Sequence, residues 1–424
     1  SKKGNEATIQ RKDAYITVTL SWLSISLIGA LPYIFSASIP VFTDAFFESV
    51  SGFTTTGSSI LKEIESLPYS ILFWRSLTHW IGGIGIIVLV IIVMPTLHMG
   101  GYHLFTLESS FQEKVQPRIK TIGIQLLVIY IALTALELLL LLLGGMNFFE
   151  STCHAFGTIA TGGFSPKNTS IAGYSPYIQY IIMIFMFLSG TNFIIHFYLI
   201  KKDLEKIRAN DEFRFYTLSI LFIGLIITSS LYLEMDKPLE ESFREGFFQV
   251  ISIVTCTGYA TADYLQWPVY AWTIIFFSMF LGGSTGSTAG GIKMARHLVV
   301  LKNISRAFSH LILPNAILAN IKINQKALNN EANNSILTYF SLYLLVFITG
   351  SLLLMALGTD LKTAGSSAAT CMAGIGPGIG TVGPASNFAH LPQMGKLVLS
   401  ALMLLGRLEI YTIIILFTPP FWKD

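Results

Sequence analysis

The sequence predicts an all-α polytopic membrane protein, with four pseudo-repeats of helix, re-entrant pore loop and helix around one central pore. Three observations carry this. Of the 424 residues 52% are hydrophobic and only 12% are charged, with a mean hydropathy of +0.62, whereas a soluble domain carries about 25% charge. Apolar runs at 130–143, 180–188, 218–231, 336–357 and 398–419 lie in stretches with few charges, long enough to cross ~30 Å of hydrocarbon. A Gly-centred segment then recurs four times, always between two such helices: Phe53-Thr54-Thr55-Thr56-Gly57, Thr158-Ile159-Ala160-Thr161-Gly162, Val254-Thr255-Cys256-Thr257-Gly258 and Met372-Ala373-Gly374-Ile375-Gly376. The net charge of +3 is too small to signal a nucleic-acid partner.

Each quarter reads in the same order. In the first repeat (14–95) residues 14–35 span, 44–53 re-enter and 74–94 return. In the second (96–200) these parts fall to 121–143, 148–158 and 176–200. In the third (201–310) they fall to 213–233, 241–254 and a broken segment from about 267 to about 301. In the fourth (311–424) they fall to 335–357, 361–372 and 394–417. The re-entrant helices are too short to cross. Non-helical backbone at membrane depth is tolerated where it is buried or lines a cavity. With the Gly segments outside, 19 of the 27 Lys and Arg fall inside, among them Lys2, Lys3, Arg11, Lys114, Arg118, Lys120, Lys201, Arg214, Lys293 and Lys326. The positive-inside rule then makes the four loops extracytoplasmic. Residues 302–334 form the longest polar connection, read as a linker or a docking surface.

A ring of backbone carbonyls around an axis replaces the water shell of a cation. Glycine lets such carbonyls point inward, threonine adds uncharged acceptors, and the C-terminal ends of the short helices favour cations. The expected filter is Thr55, Thr56 and Gly57; Thr161 and Gly162; Thr257 and Gly258; Ile375 and Gly376. The ion contacts are assigned to the carbonyls of Thr56, Gly57, Thr161, Gly162, Thr257, Gly258, Ile375 and Gly376. The fourth loop lacks the T-x-G pattern, which implies imperfect fourfold symmetry.

The chain resembles the Trk/Ktr/HKT superfamily of potassium transporters, and most of all the bacterial Trk-type membrane subunits. The resemblance rests on the run from Phe46 to Gly57 (FFESVSGFTTTG), on Trp74-Arg75-Ser76-Leu77, Trp80-Ile81-Gly82-Gly83-Ile84-Gly85 and Ala160-Thr161-Gly162-Gly163-Phe164-Ser165. Gly376-Pro377-Gly378-Ile379-Gly380 and Gly406-Arg407-Leu408-Glu409-Ile410-Tyr411 complete it. It covers nearly the whole chain. It implies potassium as the permeant ion and the glycines at 57, 162, 258 and 376 in its filter. It also implies a homodimer in a bacterial cytoplasmic membrane and a cytosolic nucleotide-binding regulatory ring as partner. Trk-type members usually carry a further helix pair before the first repeat, for which residues 1–13 leave no room. No loop carries TVGYG, so potassium selectivity weaker than that of tetrameric channels is expected.

About 24 to 30 residues beyond each filter glycine comes a second small-residue site: Gly82-Gly83, Gly190-Thr191, Gly282-Gly283 and Gly406-Arg407. A cation in mid-membrane costs at least ~2.5–3.5 kcal/mol and faces a cavity or a partner. Arg407 is therefore read as a barrier below the filter, with an ion pair to Glu137 as the plainer reading. Glu409 is set aside, since i and i+2 diverge on a helix. In the third repeat the stretch 281–292 holds Gly282, Gly283, Gly286, Gly290 and Gly291, which no helix sustains. It is expected to form an intramembrane gating loop, or else a soft packing surface. Its Gly286-x-x-x-x-Gly291 lacks the lysine of a phosphate loop, because Ile292 stands there. No cofactor is expected, and nucleotide only through the regulatory partner.

Asp44, Glu48, Glu150, Glu241 and Glu245, near the short helices, either draw cations to the mouth or pair locally. Cys153, Cys256 and Cys371 suit neither a disulfide framework nor a zinc site and are read as small thiols packed by the filter. The eight histidines lack ligand spacing. Channel-like uptake is favoured, with K+/Na+ or K+/H+ symport as the alternative. An intramembrane protease using Ser284 or Ser287 with His297 is remote, because no protease motif accompanies them.

Overall fold

The computed structural model describes residues 11–88, 115–315, 320–324 and 326–423. Lys2, Lys3, Lys114, His98, His103, the side chains of Arg11, Arg118 and Lys120, and the 95/96 repeat boundary lie outside the described residues. Among the described residues the regular structure is helical apart from one small hairpin, Lys322–Ile323 against Lys326–Ala327. Among them four single helices are long and apolar enough to span a membrane: Lys12–Phe35, Gly123–Leu143, Asp211–Glu234 and Asn330–Ala356. Side-chain caps start several elements. Asn210 accepts from Phe213 N–H, Asn329 from Ala332 N–H, and Asp360 from Thr363 N–H, each satisfying a helical donor with no internal partner.

Each spanning helix is followed by a short one: Phe42–Phe53, Phe148–Ile159, Leu239–Val254 and Leu361–Ala373. At 1.5 Å per residue the twelve-residue ones reach only about 18 Å. Each packs against the spanning helix before it. Three of the half-helices also receive a returning helix from another repeat. Tyr69–Val88 lies on the second, Pro176–Ser189 on the third, and Gln393–Arg407 on the first. The order is cyclic. At the remaining junction, third to fourth, the returning helix is broken, and Gly290 of its loop abuts Ala373.

Two expectations need correcting. The returning helices of repeats two and four are not continuous. Pro176–Ser189 and Phe193–Ile200 bend by 102°, and Gln393–Arg407 and Ile410–Phe417 by 113°. The first bend has a cause in the chain: Asn192 caps a new helix by accepting from Ile194 N–H at 2.9 Å. At the second, Glu409 takes a left-handed φ of 59°. The supposed linker 302–334 is also ordered in part. Its hairpin packs Ile323 and Leu328 on Val299 and Ile336, and Lys302 pairs with Asp211 at 3.0 Å.

Candidate functional site: a closed ring of four loops

All four half-helices end alike. In the first three the residue after the helix cap takes a left-handed φ, Thr55 (54°), Thr161 (53°) and Cys256 (58°), and in the fourth the cap itself does, Gly374 (72°). The next N–H reaches back five residues: Thr56 to Ser51 O, Gly162 to Gly157 O and Thr257 to Ser252 O, all at 2.8 Å, and Ile375 to Thr370 O at 3.0 Å. A second left-handed residue follows: Gly57 (79°), Gly163 (78°), Gly258 (82°) and Gly376 (105°). An L-residue in this region costs roughly 1–2 kcal/mol, so Thr55, Thr161 and Cys256 are held there by the packing around them.

This conformational register corrects the alignment of the second loop. The counterpart of Gly57, Gly258 and Gly376 is Gly163. Gly162 stands at the level of Thr56, Thr257 and Ile375. The tandem glycine made the sequence ambiguous by one residue.

The loops also close on one another. A Cβ on Gly57 would lie 2.1 Å from the Gly162 carbonyl oxygen, one on Gly163 2.0 Å from Thr257 O, and one on Gly258 1.8 Å from Ile375 O. One on Gly376 would lie 2.9 Å from Thr56 O. Each glycine is thus vacated for a carbonyl of the next repeat, one to two to three to four and back to one. Outside the ring a cavity of ≈ 180 Å³ is lined by Gly57, Gly163, Gly258 and Gly376 together.

The ring is braced from behind. Glu48 and Arg75, both buried, pair at 2.9 Å. Glu48 also accepts from Ser59 Oγ at 2.9 Å and Ile60 N–H at 3.0 Å, while Arg75 donates to Ser165 O at 3.2 Å and lies 4.1 Å from the Phe164 ring centre. First and second loops are so joined. Tyr264 donates to Gly378 O at 2.6 Å, joining third and fourth.

The five acids near the short helices are all paired. Besides Glu48, Asp44 meets Lys396 at 2.7 Å, Glu150 meets Lys167 at 3.3 Å, and Glu241 and Glu245 share Lys237. The Glu150 carboxylate holds the partly exposed Lys167 ammonium above the usual lysine range. The three cysteines are buried and free, and no cluster of metal-ligating side chains occurs among the described residues.

Below the ring, three of the second small-residue sites pack under the half-helix ends: a Cβ on Gly82 would lie 2.0 Å from Phe53 O, one on Gly406 1.9 Å from Met372 O, and one on Gly190 2.7 Å from Thr255 Cγ2. The site Gly282-Gly283 does not; in its repeat Gly290 takes that place, where a Cβ would lie 2.0 Å from Ala373 O. The 279–293 loop is fastened there. Ser284 N–H donates to Gly190 O at 2.9 Å, and Thr288 Oγ1 to Ile159 O at 3.0 Å. Gly282 packs on Gly290 and Gly291, Gly283 on Ala289, and Gly286 on Asn192. One buried carboxylate oxygen of Glu212, which the sequence did not single out, accepts from both Thr285 N–H (2.7 Å) and Ala295 N–H (3.0 Å). It ties the middle of the loop to the first turn of the helix that follows it.

Arg407 is buried and donates Nη1 to Thr288 O at 2.9 Å and Nη2 to Gly82 O at 3.2 Å. Among the described residues it has no carboxylate partner within 4.0 Å. The plainer reading, a pair with Glu137, is not realised. Glu409 pairs instead with Arg296 at 2.6 Å. Lys293 donates to Ala289 O. No protease dyad forms: His297 Nε2 bonds Phe280 O and Ser287 Oγ bonds Ser284 O.

A family model described as TrkH, a cation transport protein, matches residues 1–423. The Trk system potassium uptake protein TrkH of Salmonella typhimurium is 39% identical over 424 residues, covering 98% of this chain and 87% of the relative. The Trk system potassium uptake protein TrkG of Escherichia coli K12 is 33% identical, covering 98% and 86%. The crystal structure of the potassium transporter TrkH from Vibrio parahaemolyticus matches at a TM-score of 0.89 and 33% identity, over all of this chain and 88% of the other.

Proposed function

Since the chain belongs to the TrkH family of cation transport proteins, we propose that it takes up potassium ions across a membrane, through the axis of the four-loop ring. The observation that carries this is the cyclic fit of each glycine to a carbonyl of the next loop. Backbone carbonyls crowded at one level are suited to a partly dehydrated monovalent cation. The four half-helices end at the ring and add their C-terminal partial charges. The paired acids leave attraction to these dipoles and carbonyls rather than to free carboxylates.

Permeation is held back below the ring. Arg407, compensated only by carbonyls, opposes a cation there. The loop 279–293 occupies the place of a helix, and its centre is fastened by hydrogen bonds from Ser284 and Thr288 that can be broken singly. Gating by that loop with channel-like flux is the reading we favour over symport with Na+ or H+, as a four-loop ring above a single barrier suits flux down the gradient and no cluster of metal-ligating side chains occurs among the described residues. The ring faces outward, in a bacterial cytoplasmic membrane. We extend the proposal to a homodimer with a nucleotide-binding regulatory ring docked on segments 201–214 and 293–326, which the Asp211–Lys302 pair and the Asp211–Asn324 bonds join into one surface.

The test is uptake of ⁸⁶Rb⁺ into vesicles holding the purified protein, with K+ or Na+ as competitor. Competition by K+ well below the concentration at which Na+ competes supports the reading. Equal competition refutes selectivity at the ring. Flux that collapses with a protonophore or on removing Na+ refutes the channel mode.

A further inference from the structure

The second loop differs from the others in what lies behind its carbonyls. In loops one and three, two threonine hydroxyls meet at 2.8 Å, Thr54 with Thr56 and Thr255 with Thr257. The first of each pair also donates to the carbonyl four residues back, Val50 O or Ile251 O, at 2.7 Å. The fourth loop has Ile375 at the inner level. The second has Ala160 and Gly162 at these positions, so it supplies neither a hydroxyl pair nor a side chain.

The space is filled from another repeat. A Cβ on Gly162 would lie 2.4, 2.5 and 2.7 Å from Nδ1, Cγ and Cε1 of His79. His79 is fully buried on the helix Tyr69–Val88. Its ring stacks on Phe164 with centroids 4.0 Å apart and 16° between planes, and its Nδ1 accepts from Phe164 N–H at 3.4 Å. Gly162 is absent from the left-handed residues of the chain. Backbone conformation therefore does not demand glycine there; the imidazole does.

We propose that His79 is the side chain the second loop lacks, a positioning residue that sets the Gly162 carbonyl and through it the potassium selectivity of the ring. The link to the ring is direct, since the Gly162 oxygen is the atom that fills the missing Cβ of Gly57. This rests on the reading that the ring selects potassium. It adds that the second quarter of the filter is shaped by repeat one.

The experiment compares wild type, Gly162→Ala, His79→Ala and the double variant, each as full-length protein taken from a monodisperse fraction. ⁸⁶Rb⁺ uptake into vesicles is competed with K+ and with Na+, and melting temperatures are recorded in parallel. Gly162→Ala drives a methyl into the ring and lowers the preference for K+ over Na+ about tenfold, the scale of overpacking in a rigid site. His79→Ala lowers it as well. The double variant, in which the methyl enters the vacated space, regains the preference to within about threefold of wild type, the sign of a coupled pair. A harmless Gly162→Ala overturns the proposal. So does equal loss in both backgrounds, failure of the double variant to assemble included. A wild type without potassium preference overturns the filter reading and with it the selectivity role of His79; the melting temperatures then decide whether the imidazole and the glycine are matched.

Discussion

Replacing Glu48 by Gln tests how the ring is held. The carboxylate takes three donors: Arg75 Nε at 2.9 Å, Ser59 Oγ at 2.9 Å and Ile60 N–H at 3.0 Å. An amide keeps the shape but turns one acceptor into a donor and removes the charge opposite Arg75, which is only 1% exposed. Breaking a buried pair from one side costs about 3–5 kcal/mol. Arg75 keeps Ser165 O, Ser59 Oγ and the Phe164 face, so the lower end applies, about 3 kcal/mol. At about 2.1 cal/mol/K per residue over 424 residues, melting falls by roughly 3 °C. The assay is thermal unfolding of detergent-purified protein. The double variant Glu48→Leu with Arg75→Met removes both charges and leaves none unpaired, so it melts above the sum of its single variants. Melting of Glu48→Gln within about 1 °C of wild type, or strict additivity in the double, refutes the argument that this pair braces the loops.

Arg407→Ala raises ⁸⁶Rb⁺ flux. At an effective dielectric of about 20 two unit charges interact by about 4 kcal/mol at about 4 Å, falling inversely with distance, so removing the charge raises flux by about tenfold or more; unchanged flux removes it as a barrier. Gly290→Ala sets a methyl against Ala373 O, where 2.0 Å is available. It displaces the loop at a cost of about 1–3 kcal/mol and also raises flux, while lowered flux contradicts a closing role for the loop. Glu212→Ala removes the acceptor of Thr285 and Ala295 N–H. Hydrogen bonds to a charged group are worth about 1.5–3 kcal/mol each, so exchange of both amides quickens by about tenfold or more, and unaltered protection refutes the anchor.

Much of this arrangement can be read from the chain because its signals are local. Half-helix ends, threonine runs and glycines place the four loops to within a residue or two. What escapes is set at a distance. The tandem Gly162-Gly163 fits either register, and only the left-handed φ and the five-residue bond choose. The bend at Asn192 follows a visible Gly-Thr-Asn signal, whereas before the one at Glu409 only Gly406 stands, with no capping side chain after it. Asp44 meets Lys396 across 352 positions, so no pattern near Asp44 announces that its charge is already answered. Glu212 reads as an ordinary first-turn acid, and only tertiary structure brings Thr285 of the loop and Ala295 of the next helix to it.

The cyclic fit of the loops has a consequence for how the molecule comes into being. Three of its junctions join neighbouring repeats, but the last returns Gly376 to Thr56, beside the bond from Ser58 Oγ to Gly376 O that joins residues 318 positions apart. A contact of that sequence separation forms late. During synthesis the first three loops stand as an arch without its keystone, their carbonyls facing an unclosed gap. Only when the fourth repeat has been made does the arch lock, so a chain that stops short of it has no leaky version of the ring, because it has no ring at all.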